Sequence, residues 1–162
     1  MNTISLRIAS AQDAPQLVAL INLAFSIERF FVDGDRTTLE QVTELFGTGT
    51  FLVVDRPGDL PHACVYIEKH GDRAYLGLLA VDPARQGHGL GRQVMAAAEQ
   101  YCLDTGCHAI DIKIVDLRTE LPPFYKSLGF VEHGEAPFEN PQATKPARFR
   151  LMSKELKATW RA

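Results

Sequence analysis

The sequence predicts one mixed α/β domain of the α+β kind, with a mostly antiparallel sheet of six to seven strands flanked by about four helices. Three observations carry this. Apolar runs at 51–54, 63–67 and 74–81 are separated by turn residues and read as an antiparallel meander. Helical spacing marks 11–24, 38–46 and 90–102. A strand at 109–115 follows the last of these helices, so it runs parallel to the strand before the crossover. With 162 residues the chain can build one sizeable core, and the expected domain spans 1–162.

The elements follow in order. Leu6 and Ile8 alternate with polar neighbours as a short first strand. Ser10 can cap a helix over Ala11–Ala24 whose apolar face is Leu17, Leu20, Ile21 and Ala24. The stretch Ser26–Asp35 has no clear period and holds the turn Asp33-Gly34-Asp35. Thr37 or Thr38 caps a second helix through Phe46, stopped by Gly47 and Gly49. The strand Phe51–Val54 ends in Asp55-Arg56-Pro57-Gly58, and Gly71-Asp72 turns the next strand into Ala74–Val81. That last run is almost continuously apolar, as in a strand buried on both faces. After the helix Leu90–Cys102, Gly106 is a C-terminal stop. Pro122-Pro123 opens a short helix through Leu128. Phe130–Glu132 and Ala147–Met152 make a closing antiparallel pair, with Pro137, Pro141 and Pro146 in the loop between them.

Composition removes several function classes. Apolar residues are 46% and charged residues 23%, and the net charge is −3, which calls for neither nucleic acid nor an anionic membrane. No apolar run approaches a membrane span and the first residues lack a secretion signal, so a cytoplasmic protein is expected. Cys64, Cys102 and Cys107 form no C-x-x-C pair and are expected as reduced, buried thiols. The five histidines have no ligand spacing, so no metal is expected. Nothing opposes a homodimer.

The segment richest in chemistry is Val81-Asp82-Pro83-Ala84-Arg85-Gln86-Gly87-His88-Gly89-Leu90-Gly91-Arg92. It runs from a strand through a glycine-rich loop into a helix N-terminus. Glycines let the main chain approach a ligand, and the first helical amides have no internal partner. Such a loop suits a pyrophosphate, with Arg85, His88 and Arg92 adding charge. It is no P-loop, because Gly-Lys-Ser/Thr is absent. It is no dinucleotide fingerprint either, because the last glycine of G-x-G-x-x-G falls at Arg92 or Val94. The plainer alternative is a helix entry whose glycines serve packing only.

Gln86-Gly87-His88-Gly89-Leu90-Gly91 resembles the Q/R-x-x-G-x-G/A signature of the GNAT (GCN5-related N-acetyltransferase) superfamily. Downstream, Phe124-Tyr125-Lys126-Ser127-Leu128-Gly129-Phe130 resembles the Tyr-x-x-x-Gly-Phe ending common in that family. The motifs cover roughly residues 75–131, and the order of elements extends the likeness over nearly the whole chain. The resemblance implies a splayed sheet and acetyl-CoA as acyl donor. The amides of Gln86, Gly87, His88, Gly89, Leu90, Gly91 and Arg92 would hold its pyrophosphate. Leu79, Ala80 and Val81 would pair with the pantetheine arm, and an amide near Leu79 would stabilise the oxyanion. Tyr125 matches the tyrosine that often acts as general acid; its alternative is a tyrosine packed on a helix face.

The base is open at this stage. The strand 74–81 has no carboxylate where some relatives carry one, so Glu68, Asp111 and Glu28 are candidates by type, with Glu68 first. A water relay, or binding of neutral amine, would need none of them. The family's frequent Asn ahead of the tyrosine helix is missing. Arg118 in that stretch either contacts cofactor or acceptor or pairs with Glu120 and nearby carboxylates. The acceptor, a small-molecule or peptide amine, is expected beside Ile27–Arg36 and the loop 136–146, with Glu28, Phe30, Phe31 and Phe138 as wall or core. The expected activity is N-acetyl transfer to a primary amine in a ternary complex. The alternative is a catalytically silent acyl-CoA-binding or sensor module of the same fold.

Overall fold

A computed structural model describes residues 6–55 and 60–157. Seven strands form one sheet in the order β1-β2-β3-β4-β5-β7-β6, antiparallel at every pairing except β4 with β5. The strands are β1 (Leu6–Ile8), β2 (Thr50–Val54), β3 (Ala63–His70), β4 (Arg73–Val81), β5 (Ala109–Val115), β6 (Val131–Pro137) and β7 (Arg148–Glu155). The helices are α1 (Ala14–Ala24), α2 (Leu39–Leu45), α3 (Leu90–Asp104) and α4 (Leu121–Ser127).

Strand alternation decides which side of the sheet each helix covers. Leu52, Val54, Val65, Ala74, Leu76, Ile110, Ile112 and Ile114 face α3 and α4, where Val94, Met95, Ala98, Cys102 and Tyr125 complete a buried cluster. Phe51, Val53, Cys64, Tyr66 and Ala80 face the other way and pack with Leu17, Leu20, Ile21 and Val42 of α1 and α2. A smaller cluster joins Phe31, Val32 and Val115, with Phe138 and Phe149 against it.

Cap chemistry follows the sequence with one refinement. Ser10 and Asp13 form a capping box, but Ala11–Asp13 is a 3-10 turn, and α1 proper starts at Ala14 with Pro15 in its first turn. Arg7 clasps Asp13 and Asp55, fastening this entry to the end of β2. Thr38, rather than Thr37, caps α2: its side chain accepts from the Gln41 amide at 3.2 Å. The segment without clear period holds a 3-10 helix, Phe25–Phe30.

Three expectations change. β3 and β7 run to His70 and Glu155, past their apolar cores, because ladder hydrogen bonds continue where side chains turn polar. β6 includes Pro137, expected in the loop; β6 is the edge of the sheet, where a residue without an N–H is tolerated. β4 is not buried on both faces throughout: residues 77–79 are half-buried, for a reason given below. Of the turn after β2, Arg56-Pro57-Gly58 lies outside the described residues. No helix among the described residues is long and apolar enough to cross a membrane.

Candidate active site

β4 and β5 pair over only three residues, Arg73–Tyr75 with Ala109–Asp111. β4 then continues to Val81 and β5 to Val115 with no ladder between them. The sheet is parted at its middle, and the β5-facing main-chain groups of residues 76–81 have no partner strand. The gap opens a cleft of about 1110 Å³, floored by β4 from Tyr75 to Leu79 and by Ile112–Val115. That gap is why the apolar strand is only half-buried.

β4 is also irregular on its β3 side. Cys64 pairs with Ala80 but Tyr66 with Gly77, so β4 carries one extra residue. Leu78 absorbs it at φ 52, the sole non-glycine in the left-handed region among the described residues. A leucine held there costs about 1–3 kcal/mol. The packing of Leu78 against the α1/α2 cluster and a 3.6 Å contact from Cys64 Sγ to its carbonyl oppose relaxation. The bulge frees β4 from strict ladder geometry beside Leu79, at the middle of the cleft.

β4 leads straight into the glycine loop. Asp82 Oδ1 accepts from the Ala84 amide at 3.0 Å and shapes the turn Pro83–Arg85. Gly87 and Gly89 then take φ 85 and 79, and Gly89 caps α3 without any side chain. Among the described residues, nothing accepts from the amides of residues 87–92; the first helical amide to be bonded is that of Gln93, on the Gly89 carbonyl at 3.2 Å. A Cβ at Gly87 or Gly89 would meet no atom within 4 Å, so packing does not require these glycines. They are there for conformation and open space. Gly91 lacks a positive φ, and a Cβ there would be in ordinary contact with Phe124 at 3.5 Å. Unbonded N–H groups with open space beside them, at the start of a 15-residue helix, fit a diphosphate. Of the cationic side chains, Arg92 bonds Ser127 Oγ at 2.6 Å and lies 5.7 Å from the Phe124 ring, tying α3 to α4. His88 and Arg85 are exposed.

Pro122 and Pro123 start α4, and Gly129 at φ 100 ends it, which turns Tyr125 inward. Its ring packs edge-on against Phe124 and Phe130 at 5.0 and 5.6 Å. Its hydroxyl reaches the cleft and has no hydrogen-bond partner among the described residues. Burial pushes its pKa up from 10.0 to about 12, while the nearby Arg118 charge acts the other way. Tyr125 therefore keeps its proton at any physiological pH.

The opposite wall is different. Glu28 lines the cleft, but Arg118 Nη1 bonds it at 2.8 Å and Arg118 Nε bonds Glu120 at 3.0 Å. Arg118 thus takes the second of its two expected roles. Phe138 lines the cleft, whereas Phe31 is fully buried beneath it and Phe30 is 48% exposed. The Phe31 ring sits edge-on to Phe138 at 6.2 Å, so it supports the wall from behind. Glu68 faces the cleft with both oxygens engaged. Oε1 accepts from the Tyr66 hydroxyl at 2.6 Å and Oε2 meets His70 Nε2 at 2.7 Å. The Tyr66 bond, more than His70, holds its carboxyl below the usual range. Asp111 is occupied too: Arg73 binds it bidentately and Ser153 Oγ donates to it at 2.6 Å. His133 bonds the same serine at 2.9 Å, but the carboxylate holds the serine rather than the imidazole, so this set does not activate a nucleophile.

Sequence reasoning missed Tyr75 and Lys113, and reached Arg36 only as the end of the acceptor segment; all three line the cleft. Tyr75 and Lys113 belong in addition to a hollow of about 560 Å³ that continues past Arg73 and Leu151. Lys113 was visible as the lone cation among Ile110, Ile112 and Ile114, yet only the parted sheet gives it a cavity to face. All three cysteines are buried and outside any disulfide, and no metal-binding group of His, Cys, Asp or Glu occurs among the described residues.

Comparison with known proteins gives a consistent picture. The family model described as the acetyltransferase (GNAT) family matches residues 13–130. The ribosomal-protein-S18-alanine N-acetyltransferase of Escherichia coli superposes with TM-score 0.78 at 16% identity, covering 96% of each chain. The ribosomal-protein-alanine N-acetyltransferase of Brucella melitensis gives 0.75 at 20%, covering 94% of this chain and 100% of its own. A Salmonella typhimurium protein solved with its cofactor acetyl-CoA gives 0.73 at 18%, covering 98% and 96%. A search of curated proteins found no match.

Proposed function

We propose that this chain, which belongs to the acetyltransferase (GNAT) family, transfers an acetyl group from acetyl-CoA to a primary amine by direct attack in a ternary complex. The observation that carries this reading is the row of unbonded amides at 87–92, at the end of the strand that floors the cleft and packed through Gly91 and Arg92 against α4, whose Tyr125 lines that cleft.

Acetyl-CoA would supply an activated thioester. The amides of residues 87–92 bind its diphosphate, and the unpaired edge of β4 at Leu79, Ala80 and Val81 offers main-chain partners to the pantetheine arm. An amide beside the bulge at Leu78–Leu79 stabilises the negative charge that develops on the acyl oxygen as the amine attacks. Tyr125 Oη donates a hydrogen bond to the departing sulfur and passes its proton as the C–S bond breaks; the proton that nitrogen loses on becoming an amide restores the phenol, so in net the amine proton ends on the thiol, whose pKa is ~8.5. Glu68, its carboxyl depressed and both oxygens engaged, is a weak base. The reaction therefore draws on amine that has already lost its proton. The buried, unpaired thiols support a reducing, cytoplasmic setting.

Two measurements test the proposal together. Acetyl-CoA should raise the thermal midpoint far more than NAD or ATP at equal concentration. Thiol release over a panel of primary amines should then show turnover. Stabilisation without turnover on any amine would favour the silent acyl-CoA-binding module. No stabilisation would remove the assignment of the loop.

A further inference from the structure

The ion pairs of the cleft leave a remainder. Glu28 is neutralised by Arg118, Glu68 is held by Tyr66 and His70, and Arg29 pairs with Asp35 at 2.9 Å. Arg36 and Lys113 also line the cleft, and among the described residues neither has an ion pair. Both are held over aromatic rings instead. The Arg36 guanidinium lies 5.4 Å from the Phe25 ring, and Lys113 Nζ lies 4.7 Å from Phe149 and 5.7 Å from Tyr75.

Tyr75 lines the cleft with both cations, and Lys113 lies over its ring. A Cβ built on Gly77 would meet the Tyr75 hydroxyl at 2.9 Å, so that hydroxyl points along β4 towards the bulge. Its environment is set by burial first, then by the Arg36 charge and by Glu68. Glu44 and Glu139 also line the cleft, without an ion pair among the described residues. Lys113 pairs in register with Leu151 and sits two residues from Asp111, on the sheet face opposite Ile112, Ile114 and the α3 cluster. The glycine loop opens α3, so Lys113 is across the sheet from the site argued for the diphosphate.

Resting on the acetyltransferase reading, we infer that the acceptor amine carries its own anionic group, a carboxylate, which Arg36 and Lys113 grip on either side of Tyr75 while the amine nitrogen points to the bulge of β4. An amino acid, α or with a longer spacer, has that chemistry. The planar Arg36 fork suits two carboxylate oxygens, and Lys113 adds a point charge from the opposite strand.

The test compares each proteinogenic amino acid, β-alanine and 4-aminobutyrate with its primary amide, using acetyl-CoA as donor. At least one acid should exceed its amide by about tenfold or more in kcat/KM, as expected for losing a charged hydrogen bond. Arg36→Gln and Lys113→Gln should each erase most of that preference, and Lys113→Arg should retain it. Both side chains are exposed, so folding should survive these changes. A second arm needs no turnover: calorimetry with CoA present measures binding of the N-acetylated acid against its N-acetylated amide. Acid-selective binding that needs Arg36 and Lys113, without turnover, would keep the anion site and sink the acetyltransferase reading. Turnover or binding that treats acid and amide alike, a preference untouched by both Gln variants, or no binding by any acid would overturn the inference.

Discussion

The two walls of the cleft are built by opposite means. On the proposed reading the donor side, β4 with the 87–92 loop that follows it, is main chain: amides without acceptors, a strand edge without a partner, and glycines whose neighbours leave room. The acceptor wall is side chain, and most of its charges are already spoken for, Glu28 by Arg118 and Glu68 by Tyr66 and His70. A main-chain site recognises what every acyl-CoA shares and tolerates change in most side chains. A side-chain site can be rewritten one residue at a time. On the proposed reading, general chemistry sits on one wall and specificity on the other.

The largest expected effect lies on the donor wall. Gly89→Glu places a carboxylate among amides that should meet a diphosphate, on a backbone at φ 79 that disfavours side chains. Acetyl-CoA affinity should fall about a hundredfold or more by calorimetry, since a like charge is then buried against the ligand. Undiminished affinity would show that the loop is not the anion site. Next is Tyr125→Phe, which keeps both ring contacts and removes only the hydroxyl; kcat should fall by about a hundredfold with acetyl-CoA affinity little changed. Equal loss in both would mean the ring packing was disturbed instead.

On the acceptor wall, Arg118→Met leaves Glu28, whose side chain is 12% exposed, without its partner. Stability should drop by about 2 kcal/mol in a urea titration, and the acceptor KM should rise while acetyl-CoA affinity holds. A shift in donor affinity of the same size would merge the two walls into one coupled unit. A pH ramp gives a smaller signal. Tyr125 and Tyr66 have folded pKa values raised from 10.0 to about 12, so the folded state keeps protons that the unfolded chain loses. Their contribution is complete below pH 10 and is lost as pH rises to about 12. The thermal midpoint should fall across that window, and less steeply in Tyr125→Phe. The smallest effect is expected from Glu68→Gln, where kcat/KM should change by less than about threefold and still rise with pH as free amine accumulates. A hundredfold loss there would make Glu68 the base after all.

The donor wall was readable in the sequence because local chemistry specifies it. Gly87 and Gly89 are needed at the positions where φ turns positive, and the strand–loop–helix order fixes where unpaired amides point. The acceptor wall was not readable, for a physical reason visible in its phenylalanines. Phe30 and Phe31 are identical neighbours, yet one is 48% exposed and the other 0%, a difference set by a 3-10 turn meeting β7 and the loop before it. Arg118 shows the same limit, since its partner Glu28 is ninety positions away in the chain.

By itself, the sequence determined the alternation that assigns each strand residue to a face, the caps that start the helices, and the glycine loop with its tyrosine helix. All of these rest on interactions within a few residues. Tertiary structure alone decided that β4 and β5 separate after Tyr75 and Asp111, that Leu78 is forced into a bulge, and that Arg36 and Lys113 face one cavity. Those outcomes depend on how helices packed on both faces of a single sheet meet strands distant in the chain, which no local pattern of residues encodes.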